Sequence, residues 1–295
     1  MHDRIEIVWG ETTASHAHLY FRATGETKNI VNLTGTLHGP ESLYAKTLPA
    51  RFSLRTLKPG SDLLAELVVP DPCFWTPDLP LLYRLDMQWQ DATDKTYEVS
   101  QLVGIRHWGI DRAVLRLMGR NTVLRGLDVG SAGLSQEQIT QAHETQLTLI
   151  VHQPDEACCE TASRIGAGLI ADLRGVGEWP VMSNHLARIR CWPSILMAIV
   201  DTTQVAAENK FATGVPILQP LNSTGREIAS WANGGLIELN ESNPLPAQYA
   251  KFEKPLLAIR RNQQTLELTT VRQACDRLQS DLAPQLDLAG YFVKQ

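Results

Sequence analysis

Four carboxylates stand where predicted strands end: Asp128, Asp172, Asp201 and Glu238. Carboxyl groups gathered at one mouth can work as general acid and general base. Asp201 and Glu238 are the pair of most interest, because strands four and six of an eight-stranded barrel can face each other across its opening. The same acids could instead cap the helices that follow, or pair with Arg125, Arg174 and Arg260. His152 also ends a strand, where an imidazole can meet a ligand or a neighbouring loop carbonyl. Other constellations carry less chemistry. The five cysteines (Cys73, Cys158, Cys159, Cys191 and Cys275) contain no CxxC pair, which argues against a disulfide framework or a zinc site. Cys158 and Cys159 are expected as core thiols on a helix. His16-Ala17-His18 can place two imidazoles on one face of a strand, but no third ligand of suitable spacing follows, so no metal site is expected. No GxSxG elbow for a serine nucleophile is present. No GxGxxG or GxxxxGK[ST] follows any predicted strand, so no nucleotide cofactor is expected.

The elements that must position these groups fall in two parts. The chain has 295 residues with a formal net charge of −5, 43% hydrophobic and 20% charged residues, which is ordinary for a soluble globular protein. The mild acidity speaks against nucleic acid and anionic membrane as partners. No apolar run approaches the roughly 20 residues that span a bilayer. The charged start Met1-His2-Asp3-Arg4 does not resemble a signal peptide, and a cytoplasmic location is the expectation.

The first third has the period of strands. Tyr83, Leu85, Met87 and Trp89 alternate with Arg84, Asp86, Gln88 and Gln90. Seven or so short strands separated by turns predict an immunoglobulin-like β-sandwich over residues 1–108. From residue 109 short apolar runs alternate with amphipathic stretches. Eight strand candidates, with helices expected at 135–146, 155–165, 183–191, 224–232 and 269–282, predict a compact (β/α)8 TIM barrel over 109–295 that lacks the last helix. Its length of about 187 residues, against roughly 250 for such barrels, implies short loops and a shallow site.

Several segments resemble glycoside hydrolase family 2. Pro72-Cys73-Phe74-Trp75-Thr76-Pro77-Asp78-Leu79-Pro80-Leu81-Leu82-Tyr83 is similar to that family's W-[ST]-P-x-x-P-x-L-Y segment. Gly104-Ile105-Arg106 resembles its G-[FI]-R strand, and Asn121 to Gly126 its entry into barrel strand one. Val151-His152-Gln153-Pro154, Trp192 to Met197, Lys254-Pro255-Leu256-Leu257 and Gly290 to Val293 are similar to later strand motifs.

The resemblance implies a retaining glycosidase site of two glutamates about 5–5.5 Å apart. Carried over residue by residue, the motif Asn-Glu falls on Thr202 and Thr203, and the nucleophile falls on Arg260. Threonine cannot serve as a general acid near neutral pH, and arginine is no carboxylate nucleophile. The resemblance therefore implies a catalytically degenerate relative with a carbohydrate-binding or scaffolding role. His152, Asp128, Asp172 and Arg260 are its candidate substrate contacts. Two alternatives stand beside it. One is an active O-glycosidase of the β-galactosidase, β-glucuronidase or β-mannosidase kind, with Asp201 and Glu238 as relocated carboxylates. The other is a structural module that binds a protein partner or a second copy.

Overall fold

The computed structural model describes residues 5–23, 30–57, 63–91, 93–130, 133–201, 214–221, 227–239, 249, 251–262 and 267–294. The chain divides into two compact units, Met1–His107 with Cys191–Pro193, and Trp108–Arg190 with Ser194–Gln295.

The first unit holds β1 (Ile5–Thr12), β2 (His16–Ala23), β3 (Val31–Glu41), β4 (Ala50–Ser53), β5 (Arg55–Thr56), β6 (Leu63–Pro70), β7 (Leu82–Gln90) and β8 (Thr96–Val103). They form two antiparallel sheets, ordered β1-β2-β6-β5 and β4-β3-β7-β8. Each sheet buries one face, as period-two alternation requires. Leu19, Phe21 and Leu67 from the first sheet share a core with Leu37, Leu85 and Trp89 from the second. The Trp75 to Tyr83 segment is tied down by two bonds. The Tyr83 hydroxyl accepts the Cys73 amide at 2.9 Å, and the Trp75 amide donates to Ile105 O at 2.7 Å.

The second unit opens with a three-stranded antiparallel meander of β9 (Trp108–Asp111), β10 (Val114–Leu117) and β11 (Arg120–Thr122). A closed, all-parallel barrel follows in the order β12 (Leu124–Asp128), β13 (Thr148–His152), β14 (Leu169–Asp172), β15 (Ile195–Ile199), β16 (Ile217–Leu221), β17 (Gly234–Leu239), β18 (Leu256–Arg261) and β19 (Gly290–Lys294). The last strand pairs with the first, Asp128 opposite Lys294. These strands are apolar on both faces, as buried parallel strands are.

The predicted fold class needs correction. In place of a helix after each strand, the described residues contain four helices. They are α1 (Gln136–Glu144), α2 (Glu156–Ile165), α3 (Trp179–Ile189) and α4 (Leu268–Leu282), which follow β12, β13, β14 and β18. The molecule is two antiparallel sheets plus a closed parallel barrel with sparse helices, and the barrel is not the predicted (β/α)8 TIM barrel. The helix expected at 224–232 shows why. Over the described residues 227–232 the backbone groups are claimed by side chains. Gln219 accepts the Ala229 amide at 2.7 Å and donates to Glu227 O, and Lys254 Nζ donates to Ala229 O and Ala232 O. A backbone satisfied this way has no need of a helical ladder.

The helices that do form begin as their sequences dictate. Ser135 and Gln138 make a reciprocal capping box on α1, and Asp155 accepts the Cys158 amide at 2.7 Å on α2. Among the described residues, no helix is long and apolar enough to cross a membrane.

Candidate functional site at the barrel mouth

Residues paired between parallel strands face the same side, and every second residue shares that side. Gly126 and Phe292 are paired, and a Cβ at Gly126 would meet the Phe292 ring at 2.5 Å inside the barrel. Leu127 and Leu149, one residue out of step, line a cleft against α1 and α4 on the outside. The inward rows therefore end in Asp128, His152, Asp172, Glu238, Arg261 and Lys294, through the pairs Asp128–Lys294, His152–Asp172, Glu238–Ile259 and Arg261–Lys294. These six side chains gather at the C-terminal ends of the strands, the usual place for a ligand in parallel barrels.

Five of the charges at this mouth are paired. Lys294 Nζ lies 3.3 Å from Asp128 Oδ2, and Asp128 Oδ1 accepts the Gly130 amide at 2.9 Å. Arg174, just past β14, donates from Nε and Nη2 to the two oxygens of Asp172 at 2.9 and 2.7 Å. Its Nη1 donates to Glu238 Oε1 on β17. Pairing with Asp172 first, and then with Glu238, pushes the guanidinium pKa up and holds it charged, against the opposing effect of burial. Of the three arginines expected near the acids, Arg174 pairs with them. Arg125 and Arg260 point the other way. Arg125 Nε lies 2.6 Å from Asp276, and Arg260 Nη1 lies 2.7 Å from Asp281, both on α4.

The remaining candidates are distributed as follows. Asp201 lies half-buried, two residues past the end of β15. Thr202 and Thr203 lie outside the described residues. His152 is half-buried, with Gln153 Nε2 3.2 Å from its Nε2. It borders a cleft of about 390 Å³ between α1 and α2 that Gln136, Gln153, Asp155 and Cys158 also line. Gln153 sits in the left-handed region at φ 47°, and its amide donates to Asp172 O at 3.0 Å. Trp179 begins α3, Trp231 lies in the turn before β17, and Trp192 is buried. His18, on the same strand as His16, contacts the carboxylate of Glu66 at 2.8 Å on the first unit's sheet.

Sequence reasoning missed Arg174 as a bridge, and also Lys294 and Arg261. The signal for the last two was present. Both keep step with interior residues, Phe292 in β19 and Ile259 in β18, whereas Arg260 is one residue out of step.

No protein-family model matches the sequence, and no curated protein matches it. Solved structures do share the fold. The β-glucuronidase of Ruminococcus gnavus in complex with D-glucuronic acid superposes with a TM-score of 0.66 at 10% identity, over 99% of this chain and 60% of that one. The Lactobacillus rhamnosus β-glucuronidase gives 0.65 at 14% identity, over 99% and 60%. The Parabacteroides merdae β-glucuronidase gives 0.63 at 13%, over 99% and 47%. The chain thus spans about half to three-fifths of the length of these neighbours, and its fold resembles that of β-glucuronidases.

Proposed function

We propose that this chain is a glycoside hydrolase family 2-like protein that binds carbohydrate at the barrel mouth and is catalytically degenerate. The observation that carries the reading is the pairing of three carboxylates of the mouth with cations: Asp128 with Lys294, and Asp172 and Glu238 with Arg174. A retaining site needs one free anion beneath the sugar and one protonated acid beside the leaving oxygen. Carboxylates already spent on ion pairs offer neither. Arg260, at the motif's nucleophile position, sends its guanidinium to Asp281 outside the barrel. The fold likeness and the segments around Trp75 and Gly290 support the family-level reading. No disulfide joins any of the five cysteines, which suits a reducing compartment such as the cytoplasm.

One observation favours a second reading. Asp172 and Glu238 grip one guanidinium, whose terminal nitrogens are about 2.3 Å apart. Their nearest oxygens are therefore no more than roughly 7.5 Å apart, within the span of glycosidase carboxyl pairs. An active enzyme with displaced carboxylates would use that pair. A panel of aryl β-glucuronides, β-galactosides and β-mannosides, with calorimetric titration of the free sugars alongside, separates the two. Saturable binding without turnover above buffer is expected. Turnover that Asp172→Asn or Glu238→Gln abolishes overturns degeneracy, and the absence of any binding overturns the carbohydrate reading.

A further inference from the structure

Arg174 stands at the start of the segment between β14 and α3. Its guanidinium is gripped from its own strand. Asp172 Oδ1 accepts from Nε at 2.9 Å and from the Arg174 amide at 3.1 Å, and Oδ2 accepts from Nη2 at 2.7 Å. Such a two-point grip fixes the plane of the guanidinium and consumes its Nε–Nη2 edge. The Nη1 end remains, and it reaches Glu238. In the barrel order β15 and β16 lie between β14 and β17, so this bond crosses the opening and does not follow the sheet.

The two carboxylates are held very differently. The Asp172 side chain is 9% exposed and that of Glu238 is 50% exposed. Among the described residues, the Glu238 carboxylate has no hydrogen-bond partner other than Arg174. If it turns out to water, Glu238 trades one charge-assisted bond for hydration. The grip of Asp172 on Arg174 would be unchanged. Nearby, Arg261 is exposed and has no carboxylate partner among the described residues, and it is paired in register with Lys294.

We infer that Arg174 is the anion-recognising residue of the mouth, that Glu238 fills its seat in the unliganded chain, and that a carboxylate on an incoming small molecule takes the place of Glu238. A guanidinium oriented by a buried carboxylate, whose free end meets a solvent-accessible one, is a receptor with an exchangeable occupant. Arg261 supplies further positive charge along the same rows. The inference rests on the carbohydrate reading above and narrows it to acidic sugars, with the sugar carboxylate directed at Arg174.

The test is a titration with D-glucuronate, D-glucose and acetate at constant ionic strength. It is followed by calorimetry and by the ¹⁵Nε resonance of Arg174, assigned with Arg174→Lys. D-glucuronate is expected to saturate and shift that resonance, with D-glucose at least tenfold weaker. Glu238→Gln should tighten D-glucuronate binding threefold or more, because the internal competitor is gone. Arg174→Met should erase the preference for D-glucuronate over D-glucose. Glu238→Gln retains the Asp172–Arg174 grip, so it decides the matter if Arg174→Met fails to fold. Unchanged or weaker D-glucuronate binding in Glu238→Gln overturns the inference, as does a preference that survives Arg174→Met. If acetate alone moves the Arg174 resonance and neither sugar binds, the anion seat stands and the carbohydrate reading falls. If no anion moves that resonance in either protein, the seat itself is refuted.

Discussion

Gly126→Ala is expected to damage the barrel far more than a single methyl suggests. A Cβ at Gly126 would lie 1.8 Å from the Thr148 carbonyl oxygen and 2.5 and 2.8 Å from the Phe292 ring. Ordinary contact begins at 3.4 Å, so the neighbours must retreat by about 1.5 Å. Neither can do so cheaply. The carbonyl belongs to the backbone of β13 at the residue paired with Gly126, and Phe292 is fully buried. Overpacking of a tight core costs about 1–3 kcal/mol, and a clash that also separates two barrel strands belongs at the upper end. At roughly 2–4 °C per kcal/mol for a unit of this size, the melting temperature of the barrel should fall by about 6–12 °C. Differential scanning calorimetry reads this directly. Gly109→Ala in β9 is the control, because a Cβ there meets nothing within 4 Å, and it should shift melting by no more than about 1 °C. If Gly126→Ala melts together with Gly109→Ala, the reasoning from interior space is wrong.

Three further outcomes are expected. The Arg55 guanidinium, and then His18, hold the Glu66 carboxyl below its usual value of 4.5 although burial acts the other way. A depressed folded pKa contributes stability that is present above the unfolded value and is lost as pH falls through the folded one. The gap of about 1–3 kcal/mol between wild type and Glu66→Gln in urea melts should therefore be open at pH 7 and close toward pH 3, and a gap independent of pH would contradict the assignment. Burial pushes the thiols of Cys158 and Cys275 up to about 11, so about one molecule in a thousand carries either thiolate at pH 8. Labelling of these two by a disulfide reagent should speed up about tenfold per pH unit, and complete labelling within seconds at pH 8 would refute this. Arg125→Met removes the bonds to Asp276 and Gln279. It should cost about 1 kcal/mol and hasten amide exchange in α4, and unchanged exchange would show the tether to be idle.

What could be read in advance divides along physical lines. Alternation located β7, because Tyr83, Leu85, Met87 and Trp89 need one buried face regardless of what surrounds them. Buried parallel strands announce themselves as apolar runs, so all eight barrel strands left a trace. Helices between them were harder to foresee. The stretch 227–232 has helix-compatible residues, yet Gln219 and Lys254, remote in sequence, take up its backbone groups. The meander from Trp108 to Thr122 left no run longer than four residues per strand and was not foreseen. At the mouth, the acids could be named from their strand-end positions. Arg174 could be named as a partner as well, but its bridge to Glu238 could not, because that reach depends on which strands face each other after closure. Arg260 was chosen by motif position, and a one-residue difference in pleat placed it against α4 and put Arg261 in the inward row.

The pairing of β19 with β12 has a consequence for the order of folding. The barrel's final strand in sequence lies beside its first, so a nascent chain with seven strands exposes two unpaired edges until Gly290–Lys294 emerges and inserts. Such a distant pairing is slow to form, because the loop entropy must be overcome before any contact repays it. The contact of Lys294 with Asp128 across that seam is also part of the charged mouth. Closure of the sheet therefore also brings together the charged rows of the mouth, and a chain stalled before it would have neither.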